Sequence, residues 1–357
     1  MELRIIQDNP QFTVAVTGAT GFVGGHVSRA LLKAGHKLVL IARGKTTGEA
    51  GLLTHPNSQF LALDIAETSL VDALQGCHIV VHCAGINKES GSQTYQRVHV
   101  DGVQNMVNAA LESGVKHVVL LSYLGASAEP ANPYHSSKWE AEKIVRRSGL
   151  SHTILRSGMN YGSGDHFLNH LSRAMQTFPL IPLVGNGESK IRPVAVEDFV
   201  RVVEGSVSGQ GLSGTYCVVG PDEFTLAEMI HRVSGVVGKK PVYFPLPLFL
   251  FRALSWLFEK VMRIPIVSRA QVEILAEGLA EPAEPCQNLP TELQPDRSFN
   301  PDRIRVGLSR RRPLGLSYCL MCIVKGGKKR TGRCPAKDHE AKEAFTKAVE
   351  NSRSRQS

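Results

Sequence analysis

The sequence predicts an α/β fold: a doubly wound parallel sheet, a smaller C-terminal lobe and a basic tail. Three observations predict it. Short apolar runs alternate with amphipathic stretches from Phe12 to Arg156, the pattern of parallel strands with right-handed helical crossovers. A glycine-rich turn joins the first run to the first amphipathic stretch. Charge is divided unevenly: residues 309–357 hold 13 Lys+Arg against 4 Asp+Glu, which leaves the first 308 residues with 28 of each. The 357 residues, 42% of them apolar, suit one two-lobed protein with a real core.

The elements follow in order. Phe12 to Val16 reads as a buried strand. Gly18-Ala-Thr-Gly21-Phe-Val-Gly24 is the turn, and Val23, Val27, Ala30, Leu31 and Ala34 then recur at helical spacing until Gly35. Further strands are expected at Lys37–Ala42, Phe60–Leu63, His78–His82, Val118–Ser122 and His152–Arg156. Helices are expected at Leu70–Leu74, Val98–Glu112 and Tyr134–Arg147. After about Gly162 Pro, Gly and aromatic residues become common, as in a substrate-facing lobe. The expected division is 10–165 for the first domain, 166–308 for a lobe with some elements returning to the first sheet, and 309–357 for a disordered basic tail. Residues 278–301, rich in Pro, Glu and Asn, read as a linker.

A glycine turn between strand and helix is the setting of a Rossmann dinucleotide site. Gly18 permits the tight turn, Gly21 lets the backbone approach a pyrophosphate, and Gly24 lets the helix pack close. Thr20, Phe22 and Val23 complete the turn, whose helix N-terminus favours negative charge. The bland alternative is a turn with no ligand. After the second strand the sequence reads Ile41-Ala-Arg43-Gly-Lys45, without the carboxylate that would bind a ribose 2′-hydroxyl. Cations there suit a 2′-phosphate, so NADP(H) is favoured over NAD(H). The alternative is that Arg43 only stacks on adenine while NAD binds. Asp64 can accept from an adenine amino group, or equally cap the Ala66–Leu74 region. Ile65, Ala84 and Gly85 follow later strands on the same edge and complete the expected cofactor set.

Tyr134-His-Ser-Ser-Lys138 puts a phenol and an ammonium four apart on one helix face. A neighbouring ammonium stabilises a phenolate, so the pair suits acid–base work. Ser122, twelve residues upstream at the end of a strand, is placed to hydrogen-bond a substrate carbonyl oxygen. Taken alone, the Tyr/Lys pair is equally an ordinary helix surface.

The remaining features bound the class. The neutral body needs no specific nucleic acid, and the basic tail binds polyanions or anionic lipid weakly and with salt dependence. Cys77, Cys83, Cys217 and Cys286 have no paired spacing, so no disulfide is expected and a reducing, cytoplasmic setting fits. In the tail, Cys319, Cys322, Cys334 and His339 are a weak zinc candidate without surrounding fold; otherwise no metal is expected. The opening MELRIIQDNPQF lacks the regions of a secretory leader, and no run reaches the ~18 apolar residues that span a bilayer. The apolar 245–267 segment reads as a helix packed over the second lobe; the sharper reading is a surface helix touching a membrane or a large partner.

Taken together, TGATGFVG, Leu63-Asp64, Val81-His-Cys-Ala-Gly85 and YHSSK resemble the short-chain dehydrogenase/reductase superfamily, on its extended or atypical side. Leu155-Arg-Ser-Gly-Met-Asn-Tyr-Gly162, Arg192-Pro-Val-Ala-Val-Glu-Asp198 and the 220–230 stretch match further segments of the extended type, which includes NAD-dependent epimerases and dehydratases. The resemblance covers roughly 12–308. Through Leu121-Ser-Tyr-Leu-Gly-Ala126, Ser137 to Glu142 and 148–156 it narrows to relatives of the nucleotide-binding accessory subunit of respiratory complex I.

The resemblance implies Tyr134 as general acid/base, Lys138 as its pKa-lowering partner and ribose ligand, and Ser122 as the polariser of the substrate oxygen. It implies an oxidoreductase acting on a carbonyl/alcohol pair. The apolar run Phe167, Leu168, Leu171, Met175, Phe178, Leu180 and Ile181 points to a lipid-like, quinone-like or steroid-like small molecule. One alternative is a cofactor-binding scaffold or assembly factor of respiratory complex I, in contact with membrane or complex through 245–267. Another is a nucleotide-sugar epimerase or dehydratase. The sequence departs from the pattern at His99, where many relatives carry Asn, and at Ser157, where they carry Pro; His99 puts the usual proton-relay water in doubt.

Overall fold

The computed structural model describes residues 11–44, 50–67, 69–129, 132–209, 211–261, 267, 269–278 and 280–308. Lys45, and the tail with Cys319, Cys322, Cys334 and His339, lie outside the described residues.

The first half builds β1 (Thr13–Thr17), α1 (Phe22–Lys33), β2 (Lys37–Ala42), α2 (Ala50–Leu53), β3 (Ser58–Ala62), α3 (Val71–Leu74) and β4 (Ile79–His82). A π-helical turn, Gln96–Asp101, leads into α4 (Gly102–Glu112), followed by β5 (His117–Tyr123), α5 (Pro133–Arg147) and β6 (Ser151–Ser157). The second half adds β7 (Asn160–Tyr161), α6 (His166–Thr177), β8 (Leu180–Val184), β9 (Lys190–Ile191), β10 (Val194–Ala195) and α7 (Val196–Val207). It ends with β11 (Gly214–Val218), β12 (Phe224–Thr225), α8 (Leu226–Val237), β13 (Val242–Leu246), α9 (Leu248–Val261), α10 (Arg269–Glu277) and α11 (Pro301–Gly307).

Seven parallel strands form the main sheet in the order β11-β6-β5-β4-β1-β2-β3. Its near-continuous apolar strands are those of a sheet covered on both faces. On one face α1 and α7 bury Val27, Leu31, Phe199 and Val203 against it. On the other, α4 and α5 bury Met106, Val107, Ala110, Ala141 and Val145. Strand order reverses between β1 and β4, and such a switch point opens the crevice where open α/β sheets bind ligands.

The second half returns to this sheet through β11 and α7. Its own core gathers α6, α8 and α10 around Leu168, Met175, Met229, Val233 and Val272. Two sequence readings are corrected here. Residues 280–300 are not a free linker: Leu289, Leu293 and Phe299 are buried, and Gln287 exchanges backbone hydrogen bonds with β11. Cys217 of β11 and Cys286 are joined in a disulfide, with Cα atoms 5.9 Å apart. Their pairing was hidden because it follows from this return of the chain across 69 residues, not from local spacing.

Candidate active site

The glycine turn is built as its composition requires. Gly18 has φ +67°, and a Cβ there would lie 2.8 Å from the Ala84 backbone. A Cβ on Gly24 would sit 2.2 Å from the Gly18 carbonyl oxygen, so α1 can approach β1 only without a side chain there. The Gly21 N–H closes the turn on the Gly18 carbonyl at 2.9 Å. Gly21 then caps α1 in extended geometry, with no side-chain cap and no acidic residue in the first turn. The first N–H groups and the helix dipole are therefore left for an anion. The turn lies between the ends of β1 and β4 at the switch point, and this bare cradle fits a dinucleotide phosphate.

The other expected cofactor residues surround it. Arg43 is exposed at the end of β2. Ala84 and Gly85 follow β4; a Cβ on Gly85 would lie 3.5 Å from the Lys138 Nζ. Ile65 is buried against Gly102, and its carbonyl accepts from Asn105 Nδ2 at 2.7 Å. Asp64 serves a local turn: its Oδ1 accepts from the Ala66 N–H at 3.0 Å, and its Oδ2 pairs with Arg97 at 3.3 Å. It caps no helix: α3 starts at Val71 with Leu70 at its N-cap and no side-chain cap bond.

Tyr134, Lys138 and Glu142 are spaced i, i+4, i+8 and form one buried stripe of α5. The helix starts where it does because Asn132 accepts from the His135 N–H and Pro133 occupies the first turn. Burial, with Tyr95 adding to it, holds the Tyr134 phenol well above its ordinary pKa. Burial lowers Lys138 to about 8 against the opposing pull of Glu142, and its Nζ donates to the Leu121 carbonyl at 3.3 Å.

Ser122 faces a different partner from the one expected. Its hydroxyl donates to Glu142 Oε1 at 2.5 Å. Glu142 is two turns from Tyr134, about 12 Å of axial rise. Glu142 also takes a two-pronged contact from Arg156, with Nε at 3.0 Å and Nη2 at 2.8 Å, and a further one from Arg146. Arg156 is 1% exposed and Glu142 fully buried, so Ser122 belongs to a buried ion pair. The next residue of β5, Tyr123, reaches the Tyr134 ring instead, at 5.2 Å between centroids.

His99 sits in the π-helical turn, a deviation that often marks functional sites. Its Nε2 accepts from the Ile86 N–H at 3.0 Å, which assigns the proton to Nδ1, 2.8 Å from Ser137 Oγ. Burial and the nearby Lys138 keep its pKa well below the ordinary value, so it is a neutral strut joining the Gly85 loop to α5. Sequence reasoning flagged His99 only as a departure from the pattern.

Sequence reasoning missed α10. Ile274 packs on the Tyr95, Tyr123 and Tyr134 rings, and Tyr134 is left 8% exposed. Glu277 accepts from Asn132 Nδ2 at 2.9 Å and lies 3.1 Å from His135 Nε2. Burial lowers His135 to about 4, so a neutral imidazole makes this contact at neutral pH. An adjoining face of α10, with Gln271 and Leu275, lines an apolar cavity of about 580 Å³. Phe167, Leu171, Phe178, Leu180 and Ile181 line it too, as the sequence suggested, whereas Leu168 and Met175 are buried in the core beneath. One helix thus borders both the phenol and the cavity.

Known proteins resemble this chain in sequence and fold. The NAD dependent epimerase/dehydratase family model matches residues 14–204, more than half of the chain. A mouse protein, NADH dehydrogenase [ubiquinone] 1 alpha subcomplex subunit 9, mitochondrial, is 27% identical over 269 residues, covering 72% of this chain and 70% of that protein. Ceramide reductase of Caulobacter vibrioides is 30% identical over 248 residues, 66% of this chain and 73% of that one. The UDP-glucuronic acid 4-epimerase of Bacillus cereus, in complex with UDP-glucuronic acid and NAD, shares the fold with a TM-score of 0.63 at 19% identity. It covers 83% of this chain and 98% of that one. Fold, glycine cradle and sequence agree, and the chain belongs to the NAD dependent epimerase/dehydratase family.

Proposed function

We propose that the chain is an NAD(P)(H)-dependent oxidoreductase for a carbonyl/alcohol pair on a mostly apolar small molecule. The observation that carries this reading is the apolar cavity of about 580 Å³ lined in part by α10, the helix whose Ile274 packs on the aromatic cluster holding Tyr134. A diphosphate sugar would call for cationic contacts there. Among the described residues the cavity lining contains no Lys or Arg; His170 and Gln271 are its polar members. A relative whose name is ceramide reductase is in keeping with a long-chain substrate.

Gly18, Thr20, Gly21, Phe22, Val23 and Gly24 would hold the dinucleotide phosphates. Ile65, Ala84 and Gly85 would border the adenine and nicotinamide ends, with Asp64 at the adenine edge. Arg43 supports NADP(H) over NAD(H), since a cation at the end of β2 suits a 2′-phosphate. A bound nicotinamide supplies or accepts the hydride. Tyr134 moves the proton at the substrate oxygen. Lys138 offsets the developing phenolate charge and reaches the ribose. Ser122 keeps a catalytic assignment only if substrate draws its hydroxyl away from Glu142; in the arrangement described, it positions that carboxylate.

The closed site favours one second reading, a cofactor-binding scaffold at a respiratory complex. Tyr134 beneath Ile274 is arranged as a packed residue as much as a working one. Turnover tests the choice: Tyr134→Phe retains cofactor binding and loses carbonyl reduction in the first reading. Equal rates for parent and variant would favour the scaffold.

A further inference from the structure

Helix α9 is apolar on two faces. Phe251, Leu254 and Phe258 turn inward and line the cavity, and Ser255 is fully buried. Phe249, Leu250, Ala253, Trp256 and Leu257 recur at i, i+1, i+4, i+7 and i+8 and face outward, with Phe249 67% and Trp256 49% exposed. Phe178 and Leu180 on one side, and Val242 and Phe244 of β13, are also exposed. Isolated exposed apolar residues are ordinary, but a grouping on adjoining elements marks a surface that something covers.

The geometry narrows what covers it. Phe178, Leu180, Phe244 and Leu257 belong both to the exposed surface and to the cavity lining, so the two are continuous. The covering material must therefore suit an interior made for hydrocarbon. No acidic residue interrupts 249–257. Lys239 and Lys240 are exposed where the chain enters β13. In the sequence, Glu259 and Lys260 fall in the last turn of α9 and Arg263 follows it. Leu308 packs on the core of this lobe, and the sequence beyond it carries 13 Lys+Arg against 4 Asp+Glu. Among the described residues no helix is long and apolar enough to cross a membrane, so α9 would lie along one.

We propose that α9, with the adjoining β8 and β13, is a docking surface for an anionic lipid bilayer, against which the apolar cavity opens. It deepens the apolar-substrate reading by naming where that substrate resides. Aromatic side chains sit at headgroup level, Lys239 and Lys240 meet lipid phosphates, and a hydrocarbon chain passes from bilayer to cavity without crossing water.

The test is flotation of the full-length protein with vesicles of equal parts phosphatidylcholine and phosphatidylglycerol, read alongside quenching of tryptophan fluorescence by brominated lipid. The parent should float and be quenched, and Trp256→Phe should float without that quenching. The double variant F249E/W256E should lose about tenfold or more of its vesicle-bound fraction. Its cofactor-induced thermal shift should persist, which separates docking from folding. Because the readout is binding, it stands whether or not Tyr134 turns over. Three outcomes overturn the proposal: undiminished flotation of the double variant; flotation abolished by high salt with no quenching, which assigns binding to the tail; and a parent dimer that these substitutions dissociate without any vesicle binding.

Discussion

Replacing Tyr134 by Phe removes one hydroxyl and leaves the ring packed among Tyr95, Tyr123 and Ile274. The variant should bind cofactor about as the parent does, and carbonyl reduction should fall by about 10²–10⁴-fold. Lys138 sets the pH range. Burial lowers it to about 8, and only its ammonium form eases proton movement at Tyr134. Reduction should hold below that value and decline as pH rises through it, as a pH–rate profile would report. Glu142→Gln would leave Arg156 buried beside a neutral amide; the loss should be about 3–5 kcal/mol in denaturant unfolding. The Tyr134/Lys138 pair was legible because a helix presents residues four apart on one face. The contact of Ser122 with Glu142 was not, because it arises from strand-to-helix packing that no local spacing encodes.

At the scale of elements, α10 is the piece on which the site turns. Glu277→Ala removes the contacts to Asn132 and His135 that hold it over Tyr134. Backbone amides of 269–277 should then exchange faster by hydrogen exchange mass spectrometry, while those of β4 and β5 do not change. Gly24→Ala tests the opposite end: the added methyl meets the Gly18 carbonyl, and overpacking should cost about 1–3 kcal/mol along with cofactor binding. Most strands and helices of the first half were legible from alternating apolar runs and turn residues. The 280–300 segment was read as a linker because its Pro and Asn content resembles one; its burial depends on β11, a partner distant in sequence. The late Gly220-Pro221 stretch gains a physical meaning as well. Thr225 and Glu228 form a capping box that starts α8.

Across the whole molecule, three regions divide the proposed work. The switch point of the sheet supplies the phosphate cradle, the second lobe supplies an apolar chamber, and α10 stands between them. The division of charge, visible in the sequence, places the positive surplus after residue 308 and leaves the first 308 residues formally neutral. The chamber was legible only in part. Phe167, Leu171, Phe178, Leu180 and Ile181 were evident, but α9 and α10 close the volume from far along the chain. Cofactor choice belongs to this scale too. Arg43→Ala should weaken NADPH binding about tenfold and leave NADH binding unchanged, as titration calorimetry would measure.

The central claim is that Tyr134 works on a long-chain carbonyl compound rather than merely filling space beneath α10. The direct measurement is the consumption of NADPH by full-length protein supplied with a long-chain ketone in detergent, compared with the same assay on Tyr134→Phe. If Tyr134 moves the proton, the parent oxidises NADPH steadily and the variant loses at least about 10²-fold, with cofactor affinity retained. Equal rates in the two proteins, or a parent that binds NADPH tightly and oxidises none of it, would contradict the account.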